Sequence, residues 1–154
     1  EGDAIIEKQS KFLSEKYTAI ILDDSLCKYA FSYQEEFVEK NRLITFKANI
    51  SDIFKVDTSY VLSAYSTINF QNFIAQIIVD PTQFAKMKSQ LKYDNLFPQE
   101  GIFIIKVMEV VSRSPSIEYN EGSKESGPYI SLDNIDGRLI ILKGTLVDFY
   151  LNAQ

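Results

Sequence analysis

Apolar and polar residues recur along this chain with two different periods. Residues 4–16 set Ile5, Phe12 and Leu13 among charged neighbours in a helical pattern. Residues 17–22 (YTAIIL) form a short apolar run that suits a strand or a buried helix equally. Over residues 25–40, Leu26, Tyr29, Ala30, Tyr33, Phe37 and Lys40 recur at spacings of three and four, which predicts a second helix opened by Asp24-Ser25. From Arg42 the period drops to two. Ile44, Phe46, Ala48 and Ile50 alternate with Leu43, Thr45, Lys47 and Asn49, and the phase slips near Ser51-Asp52. A long strand with a bulge or bend makes such a slip. Val56-Asp57-Thr58 then reads as a turn. Residues 60–65 (YVLSAY) and 73–79 (FIAQIIV) read as the second and third strands.

Asp80-Pro81-Thr82-Gln83 starts a helix. Asp80 suits the N-cap, Pro81 the first helical position, and Gln83 completes a capping box. Phe84, Met87 and Leu91 fall on one face of it. Pro98 and Gly101 bracket a loop that launches 102–111 (IFIIKVMEVV), the most apolar strand. Residues 112–137 break every pattern and predict a long mobile loop, with two Pro, two Gly and five Ser within 112–129. Residues 139–151 (LIILKGTLVDFYL) close the series as a strand, with Gly144 expected at a bulge. The order is β-β-β-α-β-β.

Composition narrows the chemistry more than any motif adds to it. With 154 residues, 45% of them hydrophobic, the chain can bury one core. The expectation is a barrel over residues 42–154 behind a helical extension over 1–41 that packs on it. No apolar run is long enough to cross a membrane as a helix. Histidine is absent, which removes Ser-His-Asp and Cys-His nucleophiles, an imidazole base and His-bearing zinc or haem sites. The lone Cys27 forms no internal disulfide and is expected to be buried and inert. Asp23-Asp24 and Glu35-Glu36 are sequence neighbours, whose side chains diverge in a helix or strand, so they make poor acid/base pairs. Asn49-Ile50-Ser51 matches a glycosylation sequon by letters alone. No metal, cofactor or catalytic group is expected.

Five strands with a capped helix between the third and fourth is the layout of the OB-fold, a small Greek-key barrel. The run RLITFKANISDIFKVDTSYVLSAYS resembles strands one and two of the tRNA-anti-like OB domains, common in uncharacterised exported or lipid-anchored bacterial proteins. GIFIIKVMEVV is similar to their fourth strand and IILKGTLVDFYL to their fifth. Ala48 departs from the Gly common in strand one, and the fourth-to-fifth connection is unusually long. The resemblance implies an α+β, mainly β, five-stranded OB-like barrel. It also implies an exported setting, periplasmic or lipid-anchored, which fits a chain that opens on Glu1 and not on Met.

OB-folds bind ligands across strands two and three, framed by the loops joining strands one to two and four to five. That surface is expected to present Lys55, Tyr60, Tyr65, Phe70 and one face of 73–79, with Tyr119 and Tyr129 reaching in from the long loop. Rings beside cations suit single-stranded nucleic acid. The net charge of −5 argues the other way, since nucleic-acid binders carry basic stripes. Lys86, Lys88 and Lys92 gather on the helix, where they read as its solvated face. The sequence therefore predicts a non-enzymatic binding module for a protein or peptide, with single-stranded nucleic-acid binding as the alternative.

Overall fold

A computed structural model describes residues 2–22, 34–68, 71–91, 99–113, 116–120, 122–125, 127, 129–133 and 139–152. Helix α1 spans Gly2–Tyr17 and leads to a two-residue strand β1, Ile20–Ile21. A π-helical turn, Gln34–Glu39, precedes the long strand β2, Leu43–Val56. Strands β3 (Ser59–Ile68) and β4 (Gln71–Val79) follow, then helix α2 (Pro81–Lys88) and strand β5 (Gln99–Arg113). Strands β6 (Ser116–Asn120), β7 (Tyr129–Asp133) and β8 (Leu139–Leu151) complete the order.

Five strands close on themselves in the order β2-β3-β4-β8-β5 and back to β2. All seams are antiparallel except β4–β8. With its helix between the third and fourth barrel strands, this mixed barrel has the OB-like layout expected from the sequence. Closure depends on β2 serving two partners. Its first half pairs with β5 and its second half with β3, and the register slips between Ile50 and Asp52. The extra residue, Ser51, is the bulge that the phase slip predicts, and its hydroxyl donates to the Ser63 carbonyl at 3.1 Å. A bulge bends and twists a strand, which lets one strand belong to two walls. The Asp57-Thr58 turn that follows holds Asp57 at φ 54°, a conformation an aspartate tolerates in a two-residue hairpin.

Ile44, Phe46, Ala48 and Ile50 point inward, joined by Leu62, Ala64, Phe73, Ala75, Ile77, Phe103, Ile105, Ile140 and Leu142. Helix α2 closes one end. Asp80 and Gln83 make the full capping box: the Gln83 N–H donates to Asp80 Oδ1 at 2.7 Å, and the Asp80 N–H to Gln83 Oε1 at 3.1 Å. The Gln83 amide also donates to the Leu146 carbonyl at 2.8 Å, tying the helix start to β8. Met87 is buried in the core, and Leu91 is buried just beyond the helix, which stops at Ser89. Phe37, fully buried, enters the core from the π-helical turn seven residues ahead of Ile44, and its carbonyl accepts from the Arg42 N–H.

The first half of β5 is buried on both faces, which explains the unbroken apolar run Ile102-Phe103-Ile104-Ile105. Phe103, Ile105 and Val107 face the core, while Ile102 and Ile104 face outward beneath α1. There they meet Ile6 and Leu13, seven residues apart on one side of the helix. The Tyr17 hydroxyl donates to Asp148 Oδ2 at 2.6 Å, with Lys16 Nζ 3.7 Å from the same oxygen. That hydrogen bond, then partial burial, then the Asp148 charge hold the Tyr17 phenol above its ordinary pKa of 10.0, while Lys16 pulls it down. Folding thus favours the neutral phenol. Its contribution to stability is complete below the unfolded pKa and is lost as pH rises through the raised folded value. Tyr17→Phe is expected to lack this alkaline loss. Superimposable stability profiles for the two proteins between about pH 9 and 11 would show that the bond contributes nothing.

Thr45, on the outer side of β2 between Ile21 and Ile104, is fully buried, and its hydroxyl finds no partner among the described residues. An unsatisfied buried hydroxyl costs about 1–3 kcal/mol. Thr45→Val keeps the shape and removes that cost, so its urea midpoint is expected to rise by the equivalent of ~1 kcal/mol. A lowered midpoint would mean that the hydroxyl is bonded in solution.

Three local expectations need correction. The expected helix over 25–40 is described only from residue 34, where it is a π-helical turn, Gln34–Glu39; residues 25–33 of it lie outside the described residues, as does Cys27. The expected patternless loop at 112–137 contains a hairpin, β6–β7, with Ile117 opposite Leu132 and Tyr119 opposite Ile130. SIEYN and YISLD do alternate, but five residues between prolines and glycines give too short a signal to stand out. Gly144 is not itself the bulged residue. It pairs with Val107, and the register slips lie at Met108 on β5 and near Val147 on β8.

Candidate functional site

Strand parity decides which side chains share a surface. In β3, Leu62 and Ala64 face the core, so Val61, Ser63 and Tyr65 face out. Because Ser51 shifts the phase of β2, Phe54 emerges on the outside opposite Val61, whereas Ile53 and Lys55 turn to the inner side opposite Leu62 and Tyr60. Two surfaces result.

The first is the outer face of the wall formed by the end of β2 with β3, β4 and β8. Register aligns Phe54, Val61, Ile78 and Thr145 in one row across four strands. Asp52, Ser63, Gln76 and Lys143 form the next, and Tyr65, Ile74 and Ile141 a third. A polar row thus runs between two largely apolar ones. Phe54 is 48% exposed and Ile78 42%. Met108, the bulged residue of β5, reaches 57%. Val61, Ile78 and Met108 line a groove of about 370 Å³ whose polar side is the Lys143–Glu109 ion pair at 3.8 Å. Each exposed side chain lies opposite or beside another across a seam, so the face is contiguous.

The second surface is a cleft of about 280 Å³ where the β2–β3 hairpin meets α2. Ile53, Lys55, Tyr60, Phe84 and Leu91 line it, together with Ser51-Asp52 at the bulge. The Tyr60 and Phe84 rings lie parallel, 3.7 Å apart with 13° between their planes.

The sequence-predicted residues therefore divide. Lys55 and Tyr60 are cross-strand partners in the cleft. Tyr65 lies five residues from Tyr60 on a regular strand and so stands on the outer face, 40% exposed. Phe70 falls outside the described residues. Tyr119 and Tyr129 are described for their backbone only, on consecutive rungs of the β6–β7 hairpin. Of the expected surface, the three residues whose side chains are described thus divide between two sides of the barrel wall. Sequence reasoning passed over Phe54, Val61, Ile78 and Met108 as individual site residues. Their signal was present, since β3 and β4 carry apolar residues at both phases of the alternation where a wall with one wet face needs only one.

Among the described residues, no three side chains of the metal-ligating types gather in one place. No helix among the described residues is long and apolar enough to cross a membrane. Comparison with known protein families, curated proteins and solved structures finds no match to this chain.

Proposed function

We propose that this chain is a non-enzymatic binding module that engages a protein or peptide on the outer face of β3 and β4. The observation that supports this most directly is the contiguous apolar row Phe54–Val61–Ile78 with Met108 beside it. Large apolar groups gathered on a surface are characteristic of interaction sites, whereas single ones are ordinary. The adjoining row of Ser63, Gln76 and Lys143 supplies hydrogen-bonding groups of the kind found at interface rims. The resemblance to tRNA-anti-like domains agrees with binding as the role. Single-stranded nucleic acid suits this face poorly. Its two described rings, Phe54 and Tyr65, do not alternate with cations: Lys143 already sits beside Glu109, and Lys106 lies at the far end of the Phe54 row, beyond Thr145.

Photo-crosslinking tests the assignment. A benzophenone side chain at position 78 is expected to capture polypeptide, and one at position 86, on the exposed side of α2, is not. Introducing Phe54→Ser should cut the yield at position 78 about tenfold, the effect of losing one central apolar anchor. Equal capture at both positions would sink the proposal. So would oligonucleotide binding at ~50 mM salt that weakens steeply as salt is added, which would move the function to nucleic acid.

A further inference from the structure

We infer that the cleft between the β2–β3 hairpin and α2 is a binding site for a small organic monoanion, a carboxylate attached to one ring or branched apolar group. The inference is independent of the proposed peptide face, because Lys55 and Tyr60 turn to the opposite side of the β2–β3 wall from Phe54 and Val61; Asp52 alone borders both surfaces among the residues named for them. Three observations carry it.

The first is a preformed apolar wall. Tyr60 and Phe84 stack at 3.7 Å, and Ile53 and Leu91 extend the same lining. The wall is held rigidly. Phe84 directly follows the capping box, and Gln83 ties that turn to β8 through the Leu146 carbonyl.

The second is a set of polar groups left available. Lys55 forms no ion pair among the described residues, and the Tyr60 hydroxyl makes no hydrogen bond there. An ammonium and a phenol O–H beside an apolar wall are both donors, and they match a carboxylate whose carbon body rests on the rings. The bulge at Ser51 matters here. It places Lys55 on the same side as Tyr60, where an unbulged strand would turn it to the outer face.

The third is size and charge together. A space of about 280 Å³ lies just below the usual range for drug-sized ligands, roughly 300–1,000 Å³. It suits a single ring with a short acidic arm. Asp52 at the edge of the cleft, in a chain of net charge −5, disfavours an anion of higher charge such as a phosphate dianion.

Phenylacetate is the probe, followed by amide NMR shifts of the intact chain, with phenylacetamide as its neutral counterpart and inorganic phosphate as the multivalent one. Phenylacetate should give saturable shifts confined to residues 51–60 and 83–91. Both replacing it by phenylacetamide and the Lys55→Gln substitution should weaken binding roughly tenfold, the size of one charge-assisted hydrogen bond. Lys86→Gln, on the outer side of α2, should change nothing. Crosslinking from position 78 should be the same in Lys55→Gln as in the parent, so failure of either site is read separately. No saturable shift, an equal response to phenylacetamide, or stronger binding of phosphate would each overturn the assignment.

Discussion

Removing residues 1–17 is expected to make this protein associate and unfold more readily. Helix α1 is not an appendage, since Ile102 and Ile104 are fully buried beneath Ile6 and Leu13 on the outside of β5. Re-exposing those two isoleucines alone forfeits about 3–6 kcal/mol, against a total stability of ~5–15 kcal/mol for a typical domain. Leu43, Val147 and Tyr150, which pack on the same cluster, lose cover as well. The exposed strip would lie along the middle of a barrel wall and offer other chains an apolar surface. Light scattering and urea unfolding of the shortened chain should show association together with a lowered midpoint. A monomer that melts at the parent's temperature would show that α1 adds nothing to the barrel.

Gly144→Ala should destabilise nearly as severely from a single methyl group. A Cβ at this position falls within contact of the Lys106 carbonyl oxygen, 3.1 Å from its carbon and 3.2 Å from Val107 Cα. All three are backbone atoms of the neighbouring strand, so no rotamer change relieves the overlap. The β5–β8 seam must open locally. Overpacking costs about 1–3 kcal/mol when side chains can adjust, and the upper end or more applies where they cannot. The neighbouring Thr145→Ala, half-buried on the same strand, serves as the control. A Gly144→Ala midpoint within about 0.5 kcal/mol of the parent would mean that the two strands are further apart in solution.

What could be read in the sequence was what local chemistry dictates. Asp80, Pro81 and Gln83 start α2 by rules that involve only their own turn, and the bulge at Ser51 shows because residues 44–50 alternate cleanly before it. Where both faces of a strand are buried, alternation carries no phase. That is why the slip near Val147 escaped notice while Gly144 attracted it: α1 packs on Val147 and Tyr150 as well as on Ile102 and Ile104. At Met108 the extra residue is itself apolar though exposed, so it reads as one more core position. The candidate site failed to assemble for a simpler reason. Tyr60 and Tyr65 are an odd number of residues apart on an unbulged strand and cannot share a face, a constraint that a list of aromatics ignores. Conversely, Lys55 joins Tyr60 only through a hairpin register that the bulge sets, which is tertiary information. The second hydrogen bond of Gln83, to Leu146, was equally out of reach, because it spans the closed barrel.

Strand β8 forms two of the five seams, with β4 on one side and β5 on the other. On the ribosome it is the last of the barrel strands to be made. Synthesis at about 5–20 residues per second leaves roughly 2–8 s between the completion of β5 at Arg113 and the appearance of Leu151. Throughout that interval β4 and β5 both present open edges, with Phe73, Ile77, Phe103 and Ile105 uncovered between them. Unpaired strand edges beside uncovered apolar side chains are what another chain can pair with, so the seconds before β8 is complete are when a nascent copy is most open to association.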